Sequence, residues 1–245
     1  MIANFITGAR YLVRGYSLIN QPGLRRFVAM PLFINILIFS LLIYFGLGQV
    51  ESLMNTLLPA SDAWWAQALR FVFLVVFWLV AALILFFGFT LVANLLAAPF
   101  NGLLAERVEI HLTGASSAGA PGFLSALRDI GPAMMSELQK YGYFLVVALI
   151  LLVLFVIPGV NFFSPLFTAI FSAWMLALEY TAYPAENSGI KFKAARGTAR
   201  GQRMMALGFG GAVMLATMIP LVNFLVMPAA VAGATALWVE HWRAS

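Results

Sequence analysis

FVAMPLFINILIFSLLIYFGLGQV, residues 27–50, decides the fold. Its 24 residues carry no charge. As a helix it extends about 36 Å, more than the ~30 Å hydrocarbon core of a bilayer. Residues 71–98 form a second apolar run of 28 residues, roughly 42 Å as a helix, so it must tilt or protrude. Between the two lies a short polar link, 51–70, with Pro59, Asp62 and the paired Trp64 and Trp65, which suit the headgroup level. Pro99 marks a kink or break after the second run, and 100–112 continues as a polar-faced helix.

The rest of the composition agrees with these two spans. The 245 residues are 63% hydrophobic and only 9% charged, with a mean hydropathy of +0.96. Soluble domains carry about 25% charged residues. An all-α integral membrane protein is expected, a single membrane domain over 1–245. The net charge of +5 does not indicate a nucleic-acid partner, because the basic residues cluster between apolar runs as membrane topology requires. There is no Cys, and His111 and His241 are the only histidines. No metal site, thiolate chemistry or cofactor is therefore expected. No GxxxxGK[ST], GxSxG or HExxH motif occurs, which argues against an ATPase and against an enzyme of the corresponding classes.

Upstream of the first span, residues 2–19 read as an amphipathic helix lying in the membrane interface. Ile2, Phe5, Ile6, Ala9, Leu12, Val13 and Tyr16 recur at helical spacing. Downstream, TGASSAGAPG (113–122) is a flexible loop, and 123–140 is an amphipathic helix with a break expected near Gly131 and Pro132.

The chain then repeats itself. IPGVNF (157–162) and IPLVNF (219–224) are each followed by a proline, an apolar run and a Trp, 62–64 residues apart. Each unit, 143–180 and 206–240, reads as an apolar arm, a turn and a second arm. The first arms, 143–157 and 206–219, have 15 and 14 residues, too short to cross a bilayer comfortably. Two re-entrant hairpins, with turns buried in protein or lining a cavity, are the preferred reading; four short tilted spans are the other. Thirteen of the fourteen Lys and Arg residues lie outside 51–70. The positive-inside rule puts that link outside and both hairpins entering from the cytoplasm.

Several constellations carry possible chemistry. Pro22-Gly23-Leu24-Arg25-Arg26 precedes the first span. Asn20 would cap the helix and Pro22 would fit its first turn, leaving N–H groups around Gly23 and Leu24 for an anion, with Arg25 and Arg26 adding charge-assisted hydrogen bonds. Taken alone, these residues better suit topology anchors, the commoner case. Asn35 inside the first span needs a partner, either a neighbouring helix or a polar path. Asn101, Glu106 and Glu109 share one helical arc, from which Arg107 points away; an ion path or a solvated helix end explains them. Lys191, Lys193, Arg196, Arg200 and Arg203 suit anionic lipid or substrate attraction, or simple anchoring. Glu179 and Glu240 close the second arms, as proton-handling groups or, the preferred reading, as interfacial ends.

Four stretches, QPGLRRFVAMPLFINIL (21–37), AAPFNGLLAERVE (97–109), IPGVNFFSPLFTAIFSAWMLALEYTAYPAEN (157–187) and MIPLVNFLVMPAAVAGATALWVE (218–240), closely resemble the CysZ family of bacterial sulfate permeases. The resemblance implies sulfate uptake across the inner membrane for cysteine synthesis, two long transmembrane helices, intramembrane hairpins and assembly as a homo-oligomer, dimer or higher. It also implies sulfate binding at Gly23, Leu24, Arg25 and Arg26, and an ion path through the 99–106 segment, where Asn101 and Glu106 are the candidates; Asn35, read from the first span itself, is the third possible path residue. Sulfate and membrane lipids are the expected partners. The rival class is a structural or lipid-interacting membrane protein without transport activity.

Overall fold

The computed structural model describes residues 1–57, 63–115 and 130–243. The elements are helical: α1 (Ile2–Ile19), α2 (Arg25–Leu57), α3 (Trp64–Thr113), α4 (Ile130–Val156), a 3₁₀ turn (Asn161–Phe163), α5 (Ser164–Asn187), α6 (Phe192–Gly201), α7 (Arg203–Thr217), α8 (Pro220–Leu237) and a π-helical turn (Trp238–Trp242). Four helical segments among the described residues are long and apolar enough to cross a membrane: Trp64–Leu83, Gln139–Val156, Asn161–Asn187 and Pro220–Trp242. The all-α membrane class expected from the sequence is the class observed.

The chain divides into two compact units, one of residues 1–28 and 101–245 and one of residues 29–100. The second unit comprises most of α2 and the first part of α3. Its apolar side chains face outward, among them Phe33, Leu41, Phe71, Val75 and Leu79, as expected of helices whose solvent is lipid.

The first unit holds the core. Helix α1 packs against α7 and α8, and α5 against α7. The packing face of α1 is Gly8, Tyr11, Leu12, Gly15, Leu18 and Ile19. Of the bulky apolar face expected from the sequence, only Leu12 joins the core, while Ile2 and Val13 are exposed. The two faces are about a third of a turn apart at 100° per residue. The choice follows from closeness. A Cβ on Gly8 would overlap the carbonyl of Met205 and one on Gly208 that of Phe5; Gly15 meets Ala229 and Gly233 meets Tyr11 in the same way. Small residues let backbones touch where packing rather than water exclusion drives helix association.

Three expectations change. Helix α3 continues through Pro99 without an interruption in its helical assignment. Helix α4 is described from Ile130, with Gly131 and Pro132 at its start; residues 123–129 of the expected 123–140 helix lie outside the described residues. Helix α4 has 27 residues, so the short-arm argument fails for the first hairpin and survives only for α7, with 15. The turns are also not buried within the chain, since Phe162, Phe163, Leu221 and Phe224 are all exposed. Of the expected 113–122 loop, residues 116–122 lie outside the described residues.

Candidate functional site

The turn between α1 and α2 is built by local hydrogen bonds. Asn20 ends α1 rather than starting α2: its Nδ2 donates to Tyr16 O at 2.9 Å and its own backbone N–H to Leu18 O. The Gln21 amide also donates to Leu18 O, and the Leu24 amide donates to Gln21 O at 3.1 Å. The Leu24 amide therefore has a protein partner and does not face an anion as expected, and the Leu24 side chain is in the core. Gly23 has φ of +91°, a left-handed conformation that a side chain disfavours. The space where its Cβ would stand is open.

The two arginines behave differently. Arg25 Nε donates to Asn20 O at 2.7 Å, which orients its guanidinium across the turn. The Arg26 guanidinium lies 5.0 Å from the centre of the Phe27 ring. Arg107, from the last part of α3, lies 5.8 Å from the same ring. Both distances are within cation–π range. Phe27 thus gathers Arg107 beside the Gly23–Arg26 turn. The sequence arc correctly turned Arg107 away from Asn101 and Glu106; that the opposite side of α3 meets the turn was not legible from spacing alone.

Asn101, Glu106 and Glu109 are all buried. Asn101 Nδ2 donates to Tyr183 OH at 3.3 Å, and Asn187 Nδ2 donates to Gly102 O at 2.9 Å. Glu109 accepts from Arg243 at 2.8 Å. This arc is an internal polar seam against the end of α5, not a solvated helix end. The side chain of Asn35 lies outside the described residues.

A second polar group joins α1 to the π-helical turn. Tyr11 OH and Arg14 both donate to Glu240 at 2.6 Å. Burial first, then the Glu240 hydrogen bond, pushes the Tyr11 phenol above its ordinary pKa. Lys140, almost fully buried, pairs with Glu179 at 2.9 Å across the first hairpin. The sequence carried a signal for that pair. Lys140 and Glu179 are the only charged residues in 139–180, and they stand 19 and 20 residues on either side of Gly159.

Apolar spans around a turn bearing two outward guanidiniums, with a third beside them, define a multi-pass α-helical membrane protein with a cationic helix entrance. No cluster of residues suited to a metal occurs among the described residues. The family described as "Sulfate transporter CysZ/Etoposide-induced protein 2.4" matches residues 11–228, and the chain belongs to it. The sulfate transporter CysZ of Pseudomonas aeruginosa is 42% identical over 236 residues, 96% of each chain. The sulfate transporter CysZ of Salmonella typhimurium is 39% identical over 243 residues, 97% of this chain and 94% of that one.

Proposed function

We propose that the chain carries sulfate across the bacterial inner membrane to supply cysteine synthesis, with Gly23, Arg25 and Arg26 as its oxyanion site and Leu24 as the buried residue that holds the turn. The observation that carries this reading is the placing of Arg26 and Arg107 on the Phe27 ring at the helix entrance that Arg25 also occupies, in a chain whose relatives are named sulfate transporters. Sulfate is a dianion at neutral pH with acceptor oxygens only. Guanidinium forks match it without any protonated ligand.

Asn101, Glu106 and Asn35 form the proposed path. A carboxylate repels a dianion, so Glu106 would steady nearby cations rather than touch sulfate. Moving a dianion against 100 mV costs about 4.6 kcal/mol, equivalent to roughly a 2,000-fold gradient. Without an ATPase of its own, uptake needs cation coupling or rapid consumption inside. The proposed topology keeps 51–70 outside and the basic segments in the cytoplasm. The second hairpin, with the short α7, is the better candidate for a re-entrant element. The exposed apolar tips at Phe162 and Leu221 favour cover by a second copy in a homo-oligomer.

Sulfate flux into proteoliposomes, with sulfate binding measured alongside, tests the proposal. Charge-assisted hydrogen bonds contribute about 1.5–3 kcal/mol each, so Arg25→Ala with Arg26→Ala should weaken binding by roughly 100-fold or more and abolish flux. Unchanged binding and flux would remove the site. No flux from the unaltered protein would favour the structural, lipid-interacting class instead.

A further inference from the structure

A groove of about 390 Å³ opens beside the first hairpin, lined by Ile170 and Trp174 of α5, Arg200 of α6, and Arg203 and Leu207 of α7. Its size suits a small-molecule site. The two arginines stand at the α6–α7 junction. That junction is held in place by Gln202, whose Nε2 donates to His241 O at 3.0 Å. Both guanidiniums are exposed, and neither has an ion-pair partner among the described residues.

The reason Arg203 lacks a partner lies in the repeat. Arg203 and Glu240 are the only charges in 203–240, as Lys140 and Glu179 are in 139–180. The first hairpin pairs its two charges. In the second, Glu240 is engaged by Arg14 and Tyr11 of α1, and Arg203 lines the groove instead. The groove floor is apolar and fixed. Trp174 Nε1 donates to Tyr143 OH at 3.2 Å, satisfying its one polar atom, and Arg196 lies 4.5 Å from the Tyr143 ring centre.

We propose that this groove binds an anionic phospholipid of the surrounding bilayer, with its phosphate on Arg200 and Arg203 and an acyl chain along Ile170, Trp174 and Leu207. Charge complementarity selects the headgroup. The apolar wall selects a lipid over a free oxyanion, which has no use for it. Ile170 and Trp174 belong to a membrane-span candidate, Asn161–Asn187, and the arginines follow it in the basic segment 191–203. An amphiphile spanning that boundary meets both halves of the groove. The inference stands apart from sulfate transport and survives if the Gly23–Arg26 site fails.

The test is native mass spectrometry of the full chain in nonionic detergent, offered equal amounts of phosphatidylglycerol and phosphatidylcholine with matched chains. The unaltered protein should retain phosphatidylglycerol preferentially. Each cation near an anionic headgroup contributes about five-fold, so Arg200→Gln with Arg203→Gln should reduce the preference roughly 25-fold. Arg10→Gln with Lys191→Gln removes the same charge elsewhere and should leave most of it. An equal fall in both pairs would mean diffuse attraction and overturn the site. So would no preference in the unaltered protein, or displacement of the lipid by millimolar inorganic phosphate, which would assign the groove to a free oxyanion. A dimer that retains no lipid and dissociates on Arg200→Gln with Arg203→Gln would assign it to a second copy. The preference and the phosphate competition need no variant, so a misfolded variant leaves the proposal testable.

Discussion

The first hairpin (α4–α5) and the second (α7–α8) share the IPxVNF motif but bury very different shares of themselves. Over the most apolar 18 residues of each segment, only 6% of Gln139–Val156 and 22% of Asn161–Asn187 lie inside the protein, against 61% of Pro220–Trp242. Residue size accounts for the contrast. Helix α8 carries Ala229, Ala230, Ala232, Gly233, Ala234 and Ala236, all buried, whereas α4 exposes Leu145, Leu149, Leu152, Val153 and Phe155. In lipid no hydrophobic force separates these surfaces, so small residues pack together and large ones stay outward. The comparison teaches that hydropathy marks both hairpins as membrane segments, while side-chain volume decides which becomes core.

The sharpest way to break that comparison is to give each hairpin a methyl group at a glycine. Gly208→Ala places a Cβ into the backbone of Phe5, and helix α1 must move away. We expect a loss of about 3 kcal/mol or more, read as a large drop in the thermal transition and a broadened size-exclusion peak. Gly142→Ala in α4 meets nothing within 4 Å and should be neutral or stabilising by up to ~1 kcal/mol. If Gly208→Ala melts within 2 °C of the unaltered protein, on the order of the shift from ~1 kcal/mol in a domain of this size, close packing does not set the second hairpin apart.

The charged bases of the hairpins give the next effect. Glu179→Gln removes the Glu179 ion pair from Lys140, which is buried at 2% exposure. Breaking a buried pair costs about 3–5 kcal/mol; Glu179 is 28% exposed, so about 2 kcal/mol is expected after solvent screening. Lys140→Met combined with Glu179→Leu should recover most of the loss. In the second hairpin, Arg14→Gln removes a pair whose side chains are 40% and 35% exposed and should cost no more than about 1 kcal/mol. Chemical unfolding in mixed micelles ranks the three. An Arg14→Gln loss larger than that of Glu179→Gln would reverse the assignment of which base is buried.

Much of this was legible in the sequence. The all-α membrane class, the repeat and the bounds of α1 follow from runs, motif spacing and helical period. The Gly23–Arg26 turn could be picked out, but not that the Leu24 amide is occupied by Gln21 or that Asn20 closes α1, because the two helices compete for the same few polar groups. The bulky apolar side chains of α1 expected at the membrane interface, Ile2, Phe5, Ile6 and Val13, are exposed, but its core face was not legible: amphipathic analysis weights large apolar residues, and Gly8 and Gly15 do the packing. The neighbourhood of Arg107 depends on Phe27, eighty positions earlier, and no local pattern encodes that contact.

The turns themselves offer the smallest and cleanest contrast. In both motifs the Asn amide donates to the Ile carbonyl four residues back, Asn161 to Ile157 at 3.1 Å and Asn223 to Ile219 at 2.8 Å. The residue after proline differs. Gly159 has φ of +87° and the chain makes a turn before α5 begins. Leu221 sits in the first turn of α8, which starts at Pro220. Gly159→Ala should therefore cost about 1–2 kcal/mol, the penalty for a side chain in a left-handed conformation. Leu221 is 83% exposed, so Leu221→Gly should cost only the helical penalty of glycine, at most about 1 kcal/mol. Thermal melts of the two variants in one lipid composition decide the order. If Gly159→Ala is neutral, the first turn relaxes to the helical start seen in the second, and the shared Asn–Ile hydrogen bond, rather than glycine, specifies both.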